Sequence, residues 1–91
     1  MRYERKKSFD RIFKKLDIHK QNLVVTAIEK LLSFYESGIK PEGLGLKHLK
    51  KDIWEVRSSI RERILFSVEN DLLSFLLIGN HDEVKSFLRD Y

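Results

Sequence analysis

Arg57, Arg63, Glu55 and His81 are polar residues set in or beside strand-like runs of aliphatic and aromatic residues. Guanidinium groups offer a planar fork of donors that matches a phosphate. Imidazole both donates and accepts a proton near neutral pH. Together they could hold a phosphodiester and move a proton beside it. Glu55 could serve as a base or hold Arg57. A basic lead-in of Lys47, His48, Lys50 and Lys51 precedes them, and Lys85 follows His81. These five suit phosphate contacts that place an RNA strand without reacting with it. Plainer readings stay open at each position. Glu55 or Glu62 could pair with the arginines at the surface, His81 could be a capping residue, and the lead-in could be a solvated loop.

Alternation along the strands decides which of these side chains can meet. In Ile53–Arg57, Trp54 and Val56 share one face, and Ile53, Glu55 and Arg57 share the other. In the next run, Ile64, Phe66 and Val68 share one face, and Arg63, Leu65 and Ser67 the other. A hairpin centred on Ile60 sets Arg57 opposite Arg63 and Glu55 opposite Leu65. Like charges so opposed destabilise a sheet by up to about 1 kcal/mol. An anion between them would relieve that repulsion. His81 follows the last strand and would open a helix, whose free N–H groups attract anions.

The surrounding elements are legible from periodicity. Met1–Arg5 reads as a short strand. Ser8 can cap a helix whose stripe is Phe9, Ile12, Phe13 and Leu16. A second helix runs from about Lys20 to Ser37, with Val24, Ala27, Ile28, Leu31, Leu32 and Tyr35 on one side and Gly38 as its stop. Asp17–His19 reads as the bend of a helical hairpin. Residues 38–51 read as a loop. Its Gly43-Leu44-Gly45 lacks the third glycine of a nucleotide-binding turn and follows a helix, so it is not read as one. Three strands follow near Ile53–Ser58, Arg63–Glu69 and Leu72–Gly79. A last helix opens at Asn80, with Glu83 completing a capping box and Val84, Phe87, Leu88 and Tyr91 as its stripe. Trp54, Tyr3 and Tyr35 read as packing residues. The order (β)ααβββα implies an α+β domain, an antiparallel sheet with helices packed on one face.

The chain has 91 residues, which fits one domain over 1–91. It has no cysteine, and its three histidines lack ligand spacing, so neither a metal nor another cofactor is expected. No run of about 18 apolar residues is present, and the first residues lack the apolar stretch of a signal peptide. A cytoplasmic protein with no membrane association is the expectation. The net charge of +4 is uneven: residues 1–20 carry eight Lys/Arg against three acids. Such a segment suits nucleic acid or an acidic protein.

Taken in order, three segments and a closing helix resemble the RelE/ParE superfamily of toxins from type II toxin–antitoxin systems. The segments are Leu49-Lys50-Lys51-Asp52-Ile53-Trp54-Glu55-Val56-Arg57, Arg63-Ile64-Leu65-Phe66 and Leu76-Leu77-Ile78-Gly79-Asn80-His81. Ser8-Phe9-Asp10-Arg11 through Lys15-Leu16 is similar to the family's first helix. The resemblance spans essentially the whole chain and implies a RelE-like fold: a first strand, a helical hairpin, a three-stranded antiparallel meander and a variable last helix. It also implies a cognate antitoxin as partner. In the ribonuclease branches it implies metal-independent cleavage of mRNA, often on the ribosome, by attack of a 2′-hydroxyl on the adjacent phosphate. In the ParE branch it implies inhibition of DNA gyrase without catalysis. Carried over, Arg63 matches the arginine that steadies the phosphate, and Arg57 matches the arginine of the Trp-Glu-x-Arg motif. His81 matches the proton-transferring histidine of YafQ-like members. Two departures stand out: Ile53 and Glu55 replace strand lysines of RelE, and Phe87 replaces its late tyrosine. A basic RNA-binding module without cleavage is a third reading.

Overall fold

A computed structural model describes residues 1–91. The elements are β1 (Arg2–Arg5), α1 (Lys7–Lys15), α2 (Ile18–Ser37), β2 (Lys47–Lys50), β3 (Ile53–Arg57), β4 (Arg63–Glu69), β5 (Leu72–Gly79) and α3 (His81–Arg89). The strands form one five-stranded sheet ordered β1-β5-β4-β3-β2. This corrects two expectations. Lys47–Lys50, read as loop, is an edge strand antiparallel to β3. Its Lys-His-Leu-Lys carries too little apolar alternation to announce a strand, and charge is what an exposed edge tolerates. β1 pairs parallel to β5, so the sheet is mixed and not purely antiparallel. The other pairings, β2 to β5, make an antiparallel meander.

Tight turns keep that meander in register. Asn70 links β4 to β5 at φ 56°, and Lys51 links β2 to β3 at φ 51°. Asparagine enters the left-handed region more readily than most residues, which suits it to a two-residue link. Within β4–β5, Phe66 faces Phe75 while Leu65 faces Leu77, so Leu76 is an extra residue. Such a bulge bends the strand and turns two successive side chains toward one face.

The central strands are apolar on both faces, so both need cover. On one face Val56, Ile64, Phe66, Leu73, Phe75 and Ile78 pack against Phe9 of α1 and Val24, Ala27 and Leu31 of α2. On the other, Ile53, Leu65 and Leu76 pack against Val84 of α3. The helical hairpin therefore covers one face as expected, but α3 covers the opposite one. Burying each such aliphatic or aromatic side chain contributes about 1.5–3 kcal/mol.

Local hydrogen bonds correct several boundaries. Lys6, not Ser8, precedes α1. Ser8 lies inside the helix, and its hydroxyl donates to the Leu76 carbonyl at 2.6 Å. That carbonyl belongs to the bulge, just past the last β1 pairing, where no strand partner remains. The bend between α1 and α2 is shorter than expected, only Leu16-Asp17. Asp17 caps α2 by accepting from the Lys20 N–H at 2.9 Å, and His19 falls in its first turn. Gly38 ends α2 at φ 76°. Tyr35 packs at the first core, and burial pushes its hydroxyl pKa up. Tyr3 does not pack as expected; it is 40% exposed on β1.

β1 is tied to β5 by a pH-sensitive contact. The buried Ser74 hydroxyl donates to Glu4 at 2.6 Å, and this bond, then Lys6, lowers the Glu4 pKa from its ordinary 4.5. A depressed carboxylate stabilises fully above its unfolded pKa and loses that contribution as pH falls through the folded value. Ser74→Ala should therefore unfold more readily than wild type at neutral pH, with the difference shrinking below pH 4.5. Denaturant titrations across that range test it; a difference that stays constant with pH would show that Glu4 is not the linked group.

Candidate functional site

On the α3 side of the sheet, a cavity of about 740 Å³ opens between β2, β3, β4 and the start of α3. Lys47, Glu55, Arg57, Arg63, His81 and Lys85 line it, with Leu46, Leu49, Val84 and Leu88 as apolar wall. Six of the nine residues expected to do chemistry or bind RNA thus converge from four elements. Four cationic side chains face one carboxylate. A concave surface of one sign concentrates counter-ions, here anions.

The β3–β4 register sets the centre of the site. Arg57 does sit opposite Arg63, and Glu55 opposite Leu65. Glu55 is only 6% exposed. A carboxylate this sheltered requires a partner, and it finds one diagonally: the Arg63 Nε donates to its Oε2 at 3.3 Å. So Glu55 holds Arg63, not Arg57. Glu62 pairs with neither arginine; its Oε1 lies 3.9 Å from the Lys20 Nζ. Arg63 commits only its Nε–H to Glu55, which leaves the terminal amino groups for an anion. Lys47, Arg57 and Lys85 are exposed and enter no ion pair.

Arg57 is positioned by packing. A Cβ at Gly45 would fall 3.0 Å from the Arg57 Cγ, so the arginine stem lies directly on glycine backbone. Gly45 takes φ 66°, which also favours glycine. The Arg57 N–H donates to the Leu44 carbonyl at 3.0 Å, and Leu44 is fully buried. Gly43-Leu44-Gly45 is therefore a seat for an arginine stem. Nothing in its spacing announces that role, since the partner lies a strand away.

His81 is the first residue of α3, as expected, and the cap places it. Asn80 and Glu83 exchange bonds at 2.9 Å each, completing the capping box. Gly79, opposite Arg63, leaves room for that exchange; a Cβ there would fall 3.0 Å from the Glu83 Cβ. With the cap closed, the exposed imidazole and the two arginines line one cavity. Lys47 joins from β2, where it pairs with Glu55, so this edge strand supplies a lysine that β3 lacks.

Three expected RNA-binding residues lie elsewhere. His48 pairs with Trp54 on the other face of the sheet, with ring centroids 4.6 Å apart. Trp54 is half-buried against the first core, a packing residue. Lys51 occupies the turn, where its carbonyl contacts the His48 Nε2. Lys50 lies just outside the cavity and donates to the Leu88 carbonyl at 3.1 Å. Phe87 does not line the cavity; it packs at the second core and stacks on Tyr91. Tyr91 is exposed, and its hydroxyl lies 3.5 Å from Asp52, so the expected end of the α3 stripe points to the β2–β3 turn. No helix is long and apolar enough to cross a membrane.

At the level of sequence, no protein-family model matches this chain, and no curated protein matches it. Solved structures do resemble it. The RelB–RelE antitoxin–toxin complex of Methanococcus jannaschii is similar at TM-score 0.67 and 17% identity, over 96% of this chain and 98% of that one. YafQ from Escherichia coli BL21(DE3) is similar at TM-score 0.66 and 14% identity, over 92% and 98%. The YoeB/ParE toxin of Agrobacterium tumefaciens is similar at TM-score 0.68 and 15% identity, over 89% and 99%. At these identities the likeness is one of fold.

The two arginines should separate in stability measurements. Arg63→Ala leaves the sheltered Glu55 without its partner and should destabilise by about 1–3 kcal/mol. Arg57→Ala removes an unpaired, exposed head and should stay within about 0.5 kcal/mol of wild type. Urea unfolding of both variants is the check, and equal losses would contradict the asymmetric pairing.

Proposed function

We propose that this chain, whose fold is that of the RelE/ParE-type toxins, is the toxin of a type II toxin–antitoxin pair and a metal-independent endoribonuclease acting on mRNA. Residues 1–91 act as one toxin domain, in the cytoplasm. The observation that carries the reading is the cavity in which Arg57, Arg63, His81, Lys47 and Lys85 meet around a single carboxylate.

The chemistry follows from those groups. A scissile phosphate sits between Arg57 and Arg63, where opposed cations await an anion. The 2′-hydroxyl attacks the adjacent phosphorus, forming a 2′,3′-cyclic phosphate as the bond to the 5′-oxygen breaks. His81 carries the proton, taking it from the 2′-hydroxyl and delivering it to the departing 5′-oxygen. The phosphorane between these states gains negative charge, so fixed guanidinium donors stabilise it more than they stabilise the substrate. Glu55 acts by holding Arg63, and its engagement there makes it a positioning residue, not the base. Lys47 and Lys85 hold the strand on either side.

The partner is a cognate antitoxin, a reading supported by the Methanococcus jannaschii neighbour, which is a toxin–antitoxin complex. One observation favours the second reading, a ParE-type toxin that acts on gyrase by binding alone. Phe87 cannot exchange a proton and packs away from the cavity, leaving His81 the sole imidazole on it.

Primer extension on cellular mRNA after brief induction distinguishes the two. Wild type should create new 5′ ends inside coding regions. His81→Ala should abolish them, and Arg57→Ala should reduce them on the order of 100-fold, both with unchanged thermal midpoints. Growth arrest with no new ends would favour the binding-only reading. Ends that survive His81→Ala would remove His81 from the chemistry.

A further inference from the structure

The catalytic cavity does not end at α3. A second hollow of about 590 Å³ adjoins it and shares Lys85 and Leu88 with it. Its other lining residues include Lys50 from β2 and Asp82 and Arg89 from α3. Three cations thus face one carboxylate.

Two of these cations are held in place. Lys50 donates to the Leu88 carbonyl at 3.1 Å, at the carbonyl-rich end of α3. Arg89 donates through Nη2 to the Ser86 hydroxyl at 2.9 Å. Each bond uses one donor and leaves others free, so each head is oriented but still able to bind an anion. Lys85 and Arg89 are four residues apart, about 6 Å along the helix. Cationic groups therefore continue from Arg57 and Arg63 across Lys85 to Lys50 and Arg89.

The opposite flank differs. Beyond His81, the hollow against the β3–β4 hairpin carries Lys20 and Arg61 against Glu62 and Glu83. Lys20 already faces Glu62 at 3.9 Å, and Glu83 is committed to the cap. That surface is charge-balanced and offers little to a polyanion.

We infer that the α3–β2 hollow is a second phosphate-binding subsite, in which Lys50, Lys85 and Arg89 take the RNA backbone flanking the scissile step. The inference rests on the ribonuclease reading for its substrate and adds to it the side by which the strand leaves. The subsite positions RNA and takes no part in bond breaking.

Two charge reversals of equal size test it: Arg89→Glu in the subsite and Arg61→Glu on the balanced flank, with Arg89→Lys as the charge-conserving control. Binding of a 2′-O-methyl RNA oligomer, which cannot be cleaved, is measured by fluorescence anisotropy at several salt concentrations. Arg89→Glu should weaken binding on the order of tenfold and flatten the salt dependence by about one ion. Arg61→Glu should change affinity by less than about twofold, and Arg89→Lys should restore most of it. In cleavage assays Arg89→Glu should raise KM for a long RNA with kcat held, and leave a dinucleotide spanning the scissile step unaffected. Equal losses from Arg61→Glu and Arg89→Glu would overturn the subsite, as would no loss from Arg89→Glu or an equal loss on the dinucleotide. Wild-type protein that binds the oligomer but cleaves nothing would fail the ribonuclease reading alone, and the binding comparison would still decide the subsite. Circular dichroism of each variant confirms that the helix remains folded.

Discussion

The register of the β3–β4 hairpin governs this molecule. It sets Arg57 opposite Arg63 and gives the nearly buried Glu55 a diagonal partner. Slipped by one residue, every side chain of a strand changes face. A slip of β4 would take Ile64 and Phe66 out of the core under α1 and α2 and bring Arg63 into it, and a slip of β3 would exchange Val56 for Glu55 in the same way. The same apolar alternation that builds the core therefore also gathers the charges of the site. Fold and site are specified by one pattern, and the site cannot be moved without dismantling the sheet.

A sheet with two apolar faces needs cover on both, and the two covers differ in kind. The helical hairpin seals one face around Phe9, Val24 and Leu31. The other face is shared. α3 covers it through Val84, and the part left open between α3 and strands β2, β3 and β4 becomes the cavity. Small residues make this sharing possible. Gly79 lets the capping box close at the very start of α3, and Gly45 lets the Arg57 stem rest on the loop. Each clears space that a methyl group would occupy, and each thereby places a side chain that lines the cavity.

The charges around the cavity are unevenly neutralised. Outside the cavity three side-chain ion pairs form, Arg5 with Asp10, Lys6 with Glu4 and Lys20 with Glu62. Around the cavity only Arg63 has a partner, and Lys47, Arg57 and Lys85 have none. Like charges crowded on a concave surface repel one another, and a bound polyanion would relieve that repulsion. The extension of the cationic surface over α3, set against the balanced hairpin flank, gives the site a polarity along its length.

Much of this was legible in the residues. Alternation identified β3, β4 and β5, and with them the facing of Arg57 and Arg63. Helical periodicity identified the stripes of α1 and α2, and the Asn80–Glu83 spacing identified the cap that positions His81. These signals are local: each depends on side chains within a few residues of one another. What escaped was long-range. Edge strand β2 carries too few apolar residues to be seen until β3 pairs with it. The direction of β1 depends on β5, some seventy positions away, as does the role of Ser8 in satisfying the bulge carbonyl. The side on which α3 packs is set by which sheet face remains uncovered. The choice of Arg63 over Arg57 as partner for Glu55 rests on a diagonal contact between strands. Sequence by itself determined most of the elements, the β3–β4 register and the residue types that line the cavity, because periodicity and turn chemistry act within a segment. Only the tertiary structure decided which charges are neutralised and which stay free, because that depends on distances between segments that no local pattern contains.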